Sequence, residues 1–355
     1  MTVFVPAGAA TSALTHFALY GLAAILEDEN GQSVRVCWTD EADPKPQLDA
    51  ELEPGEVAAA VHRHATRCAS PESWLGVRFD AGDRHFAAFS PRIATPSTPS
   101  AWHHLQETRH AGLDAVAAAG SELDLRMIGA LGEPAYWPLE PKSARGAARS
   151  DGNSDGGASR WEMKTRNQGA EFVGNRLLPM ARVVAARTVD EVLSGLAGYT
   201  IRDEVGNDKP ESRSGTGFTR PGPVDNALAW CALWGISQFP VVHHNGAQST
   251  TAGTYVPARR TYPTFVFLPV PTRLITLSRL RSILASRQLQ LAATTTDSSD
   301  PLDVISAEAA RRWLTERSIR ALMRFPLYAS ETKVPERKIL DGSVVTLTNS
   351  ASPWN

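Results

Sequence analysis

Cysteine is scarce: the 355 residues contain only Cys37, Cys68 and Cys231. Three cysteines, odd in number and far apart, do not make a disulfide framework, and no CxxC pair is present to begin a zinc module. They are the free thiols expected of a reducing compartment. Long apolar runs are missing too. The most apolar stretches, residues 17–26 and 227–236, are too short to span a bilayer. The N-terminus lacks the charged n-region of a secretory signal. These absences point to a cytoplasmic protein with no membrane partner.

Catalytic signatures are also absent. Neither GxSxG nor GxxxxGK[ST] occurs, which removes the nucleophile elbow and the Walker phosphate loop. Histidines stand at positions 16, 62, 64, 85, 103, 104, 110, 243 and 244, and none follows His244. The sequence His243-His244-Asn245 suggests an HNH nuclease, but that site needs a later histidine. No His-Asp dipeptide of the HD hydrolases occurs. His62 and His64 have no Cys or His partner at zinc-finger spacing. His103, His104 and His110 fall on a polar helix face. The expectation is a protein with no catalytic residues, no metal and no cofactor.

What is present begins with an ordinary globular composition, 42% hydrophobic and 21% charged. Apolar positions Phe17, Leu19, Leu22, Ile25 and Leu26 predict a helix over 16–29, closed by Asn30-Gly31. Alternation over 33–38 predicts a strand. Helices are expected over 53–68, 100–119, 172–186, 189–196 and 225–236, strands over 84–89 and 262–270, and helical or mixed elements over 274–284 and 307–323. Helices and short strands interleave without a βαβ rhythm, so the fold class is α+β. Residues 141–159 (PKSARGAARSDGNSDGGAS) hold no large apolar side chain. Such a run cannot bury enough surface to offset its ordering entropy, and it reads as a linker between regions 1–140 and 160–355.

The net charge of -2 conceals an asymmetry. Residues 1–156 hold 12 Lys/Arg and 21 Asp/Glu; residues 157–355 hold 24 and 17. An acidic half followed by a basic half points to a polyanion or an acidic partner, unless it averages out over the folded surface.

Three basic stretches sharpen this. Residues 160–187 offer Lys164, Arg166, Asn167, Asn175 and Arg176 as phosphate or base-edge contacts, with Gly169 and Gly174 allowing close backbone approach. A solvated helix entrance is the alternative. Residues 259–287 hold six arginines, among them Arg259, Arg260, Arg279 and Arg281, and no acid. Tyr262, Phe265 and Phe267 among them suit base stacking, and equally suit a core strand. Residues 311–338 hold eight basic and three acidic residues, although Arg312, Glu316 and Arg320 also fit an i,i+4 charge ladder. Between these stretches lies a glycine-rich loop, 212–223. Arg213 and Arg220 flank its glycines as candidate guanine contacts, and Phe218 is placed to wedge between bases. An ordinary surface turn is the alternative.

The runs HFALYGLAAILEDENGQSVRVCWTD, SRWEMKTRNQGAEFVGNRLLPMA and RSGTGFTRPGPVDNALAWCALWGISQFP resemble a family of CRISPR-associated proteins. The likeness is to the small variant of the large subunit of type I-G (formerly type I-U) effector, or Cascade, complexes. It covers most of the chain outside 141–159 and rests on sequence character without a short diagnostic motif. The resemblance implies a non-catalytic subunit beside the guide crRNA, contacting other Cascade subunits and target double-stranded DNA. Its expected work is recognition of the protospacer-adjacent motif (PAM), stabilisation of the R-loop and recruitment of the helicase-nuclease, with sequence read by guide pairing. Two other classes remain open: a metal-independent RNA-processing nuclease using His243 or His244 with Arg259 or Arg260, and a protein-interaction module whose acidic half docks a basic partner.

Overall fold

The computed structural model describes residues 3–81, 84–91, 99–119, 121–132, 159–161, 163, 172–242, 250–257, 262–294, 301–331 and 336–347. The chain starts with β1 (Val3–Phe4), helix α1 (Ala13–Asn30) and the hairpin β2 (Arg35–Trp38) and β3 (Pro46–Asp49). Next come α2 (Pro54–Ala69), the hairpin β4 (Arg78–Ala81) and β5 (Arg84–Ala87), then α3 (Pro99–Ala119) and α4 (Glu122–Leu131). A π-helical turn, Val173–Leu177, opens α5 (Leu178–Ala185), followed by α6 (Val189–Leu196) and α7 (Asn226–Trp234). Short strands β6 (Val241–Val242), β7 (Thr250–Thr251) and β8 (Thr254–Tyr255) lead to β9 (Phe265–Pro271) and β10 (Ile275–Thr276). Helices α8 (Leu277–Leu284), α9 (Arg287–Thr294) and α10 (Pro301–Thr315) precede β11 (Ile319–Ala329), β12 (Arg337–Ile339) and β13 (Ser343–Thr346). The fold is α+β, as expected.

Local signals account for many of these boundaries. Gly31, at φ 67°, closes α1 and donates its amide to the Glu27 carbonyl. Pro54 occupies the first turn of α2, and Glu56 reaches back to the Glu53 amide at 2.8 Å. Thr188 and Glu191 form a capping box at α6. Asp225 caps α7 through the Ala227 amide, while its carboxylate also receives Arg187 Nη1 at 2.7 Å and the Arg202 amide at 3.1 Å. The element expected over 307–323 divides in two. Helix α10 stops at Thr315, Ser318 turns at φ 65°, and Arg320 lies on β11 paired with Asp40 at 3.0 Å. The 312–316–320 ladder therefore does not form.

Helix α1 is buried on every side from Ala13 to Leu26. It needs wrapping all round, and both ends of the chain supply it. The closest approach is backbone to backbone with α7. A Cβ on Gly21 would sit 1.8 Å from the Cys231 carbonyl oxygen, and one on Gly235 would sit 2.2 Å from the Phe17 carbonyl oxygen. Beside this contact Phe17 stacks on Phe218 and Phe239, at 4.2 and 4.7 Å between ring centroids, with Trp161 edge-on at 5.0 Å.

The sheets repeat this joining of early and late sequence. One antiparallel sheet has the order β1-β3-β2-β10, so Ile275 of the basic half sits opposite Val36 of the acidic half. The other runs β12-β11-β9-β8, with β13 also on β11. One large hydrophobic core draws on residues from Phe4 to Leu347, with a small second cluster of Phe79, Ala88 and Leu105. The core thus includes residues from both sides of the 141–159 segment, all of which but Ser159 lies outside the described residues.

His16 sits within the core of α1, with its Nε2–H donating to the Ala10 carbonyl at 2.9 Å and the Trp38 ring 4.4 Å away. Desolvation pushes its pKa down to about 4, and the hydrogen bond to Ala10 opposes that only in part.

Two predictions follow from this packing. Gly21→Ala should destabilise the protein by at least about 1–3 kcal/mol, because helix backbone has no rotamer by which to yield. Denaturant unfolding measures this; an unchanged midpoint would refute the backbone contact. Acidification should also destabilise the fold. The unfolded chain protonates His16 near pH 6.5, whereas the native state resists until about pH 4. The penalty is absent above pH 6.5 and grows as pH falls towards 4. Urea midpoints at pH 7.5 and 5 should differ in that direction, and His16→Gln should flatten the difference.

Candidate nucleic-acid interface

The sequence-selected residues meet different fates. Lys164, Arg166, Asn167, Arg259 and Arg260 lie outside the described residues, as do His243 and His244. Asn175 is exposed on the π-helical turn. Arg176, beside it, is fully buried and so is not a surface contact. Its Nη1 donates to the Met163 carbonyl and its guanidinium lies 5.4 Å from the Phe172 ring centroid. The charge serves an interior carbonyl that neither helix nor strand satisfies.

The loop 212–223 is a second correction. Phe218 is 1% exposed and stacks on Phe17, so it is core and not a wedge. The loop's amides are used internally: Ser214 to Ser212 Oγ, Phe218 to Thr216 Oγ1, Gly217 to the Arg213 carbonyl and Gly222 to the Ser212 carbonyl. Gly217, at φ 72°, lets the loop press on Met163, whose Cβ would lie 2.7 Å from an added Cβ. Arg213 pairs with Glu336 at 2.9 Å in a shielded position, and Arg220 with Asp341 at 2.9 Å in the open. These arginines pin the loop to the segment that carries β12 and leads to β13, and do not stand as a free fork.

The two arginines of α8 also differ from each other. Arg279 is exposed. Arg281 is half-buried, donating to Gln238 Oε1 at 2.9 Å and Ser278 Oγ at 3.0 Å. Desolvation and the nearby Arg126 lower its pKa, while Glu27 and Glu122 act the other way. Acids from the first half of the chain therefore compensate a stretch that has none of its own.

The structure assembles a different group of cations. Along β11, successive side chains alternate between faces. Phe325 points towards α1, its ring 5.6 Å from that of His16. Leu322, Arg324, Pro326 and Tyr328 occupy the opposite face, while a bulge between Ile319 and Ala321 takes Arg320 out of the alternation. Arg324 lies over the Phe265 ring of β9 at 3.8 Å. Tyr328 stands opposite Lys338 of β12, whose ammonium is 5.0 Å from the tyrosine ring centroid. The two pairs are about 13 Å apart, four residues along one strand. At the end of α10, Arg317 stacks on Trp313 at 3.8 Å. A buried version adjoins them: Arg337 and Arg160 lie 3.4 and 4.9 Å from the Tyr262 ring centroid.

Among the described residues, no carboxylate forms an ion pair with Arg317, Arg324 or Lys338. Aromatic rings hold them instead, leaving their outward donors for an anion. Tyr328 is 44% exposed, enough ring for a base to stack on. The arrangement offers cations at phosphate-like spacing beside an exposed ring, the chemistry that single-strand binding uses. Residues 311–338 hold these charges together with Trp313 and Tyr328, while Phe265, the seat of Arg324, lies on another strand. No protein-family model and no curated protein matches the chain.

Anisotropy titrations with a single-stranded oligonucleotide test this face. Arg324→Ala and Lys338→Ala should each flatten the log K against log [salt] slope by about 0.7, one phosphate contact apiece. Tyr328→Ala should cost about 1–3 kcal/mol whatever the base composition. Wild-type affinity and slope in all three variants would move the interface elsewhere.

Proposed function

We propose that the protein is a non-catalytic nucleic-acid-binding subunit of a CRISPR Cascade complex. The observation that carries this reading is the β11 face, where Arg324 and Lys338 sit on aromatic rings without acid partners. Such a surface grips backbone and stacks bases without reading sequence, which suits a subunit that leaves sequence to guide pairing. The resemblance of three long runs to the large-subunit family supplies the assembly. In that setting the protein contacts crRNA or the displaced strand, helps PAM recognition and R-loop stability together with other Cascade subunits, and recruits the helicase-nuclease.

Isolation of the protein from cells under native conditions tests the assignment. The expected result is co-purification of one RNA species of guide length with further protein subunits. The purified chain alone should leave DNA and RNA intact in Mg²⁺ and in Mn²⁺. Isolation as a bare protein would refute the assembly. Robust cleavage abolished by substitution of His243 or His244 would replace the binding role with that of a nuclease.

A further inference from the structure

Helix α2 carries His64 and Cys68 four residues apart, so both side chains leave the same face. The first turn of α4 presents Asp124 to that face. One donor atom from each of the three lies within 4.8 Å of the other two. His64 Nε2 stands 4.0 Å from Cys68 Sγ. All three residues are buried, with exposures of 0%, 1% and 5% for His64, Cys68 and Asp124.

The polar atoms here are incompletely satisfied. Arg67 Nη1 donates to Asp124 Oδ2 at 2.6 Å, but Asp124 Oδ1 is enclosed without a hydrogen-bond partner among the described residues. His64 Nδ1 likewise has none among the described residues, while Nε2 on the other side of the ring faces the Cys68 thiol. An enclosed polar atom left unpaired costs about 1–3 kcal/mol. Three metal-ligating side chains converging on one buried point, one of them with a carboxylate oxygen that has no hydrogen-bond partner among the described residues, indicate an occupant.

Charge and geometry define that occupant. A Cys68 thiolate and the Asp124 carboxylate together balance a divalent ion, and the Arg67 charge is then met by its other partners, Asp28 and Glu29. Thiolate with imidazole selects a zinc-class ion over calcium or magnesium. Tetrahedral zinc places bound nitrogen and sulfur roughly 3.6 Å apart, so the observed pair closes by about half an ångström. Arg67 would remain on Asp124 Oδ2 as an outer partner that orients the carboxylate. A cleft of about 580 Å³, lined by Asp28, Arg67, Ser121 and Asp124 among others, adjoins the site on the Asp124 side.

We propose that His64, Cys68 and Asp124 bind one zinc-class ion that ties α2 to α4, with a water from the cleft in the fourth position. The test is a titration of the metal-stripped full chain with Co²⁺, followed by Zn²⁺. The expected result is one Co²⁺ per chain, a thiolate-to-cobalt charge-transfer band with the strong visible bands of a four-coordinate site, and loss of both on adding Zn²⁺. Cys68→Ser should abolish the charge-transfer band, whereas Cys37→Ser should retain it. Absence of the band in the wild-type chain at excess Co²⁺ overturns the proposal, as does its survival in Cys68→Ser. Should Cys68→Ser fail to fold, the wild-type titration and Asp124→Asn decide: stoichiometric binding weakened at least tenfold by Asp124→Asn supports the site, and unchanged affinity overturns it.

Discussion

The structure depends on the contact between α1 and α7, where Gly21 and Gly235 let two helix backbones touch. Neither position calls for a special backbone conformation; what matters is the space a side chain would fill. With the helices this close, Phe17 reaches Phe218 and Phe239, and the flanking loops are drawn inward with them. Because α1 has no polar face through Leu26, the layer beyond α7 must also be supplied. Tyr20 donates to the Pro269 carbonyl at 3.3 Å, anchoring β9 beside α1, and α2 packs along another side. The sheet bearing the cation–aromatic pairs is thereby set on the central helix.

Tertiary pairing redistributes the charge asymmetry seen along the chain. Arg320 meets Asp40, Arg213 meets Glu336, and Arg187 is enclosed between Glu204 and Asp225. A basic stretch of sequence is therefore not a basic patch of surface. Arg317, Arg324 and Lys338 rest their charged groups on rings, which restricts the side chains without an acid partner. Side chains already ordered in this way lose less rotamer freedom when a phosphate arrives.

Local sequence revealed elements whose signals are local. The apolar spacing and Asn30-Gly31 located α1 closely, and Asp225 marked the start of α7. The strand β11 was hidden because residues 319–323 follow a helix directly and are apolar enough to extend it; the break is a single left-handed residue, Ser318. Burial of Arg176 and Phe218 was equally hidden, since nothing in a run of polar and glycine residues says which side chain turns inward. His64 and Cys68 are spaced for a helix face and not for a zinc finger, and Asp124 is far away in sequence. None of the cations singled out in the sequence belongs to the cation–aromatic face, because which cation escapes an acid partner is decided by the whole fold.

The partnership of α1 with α7 also bears on biosynthesis. The residues that cover the first helix emerge roughly 200 positions after it. At about 5–20 residues per second, ribosomal synthesis leaves that apolar segment without its native neighbour for roughly 10–40 s. The last strands are later still: the Gly342 amide reaches back to the Thr11 carbonyl at 2.8 Å. Folding of this chain is accordingly a late event in its own translation, and until then the nascent N-terminal helix is a natural client for a chaperone.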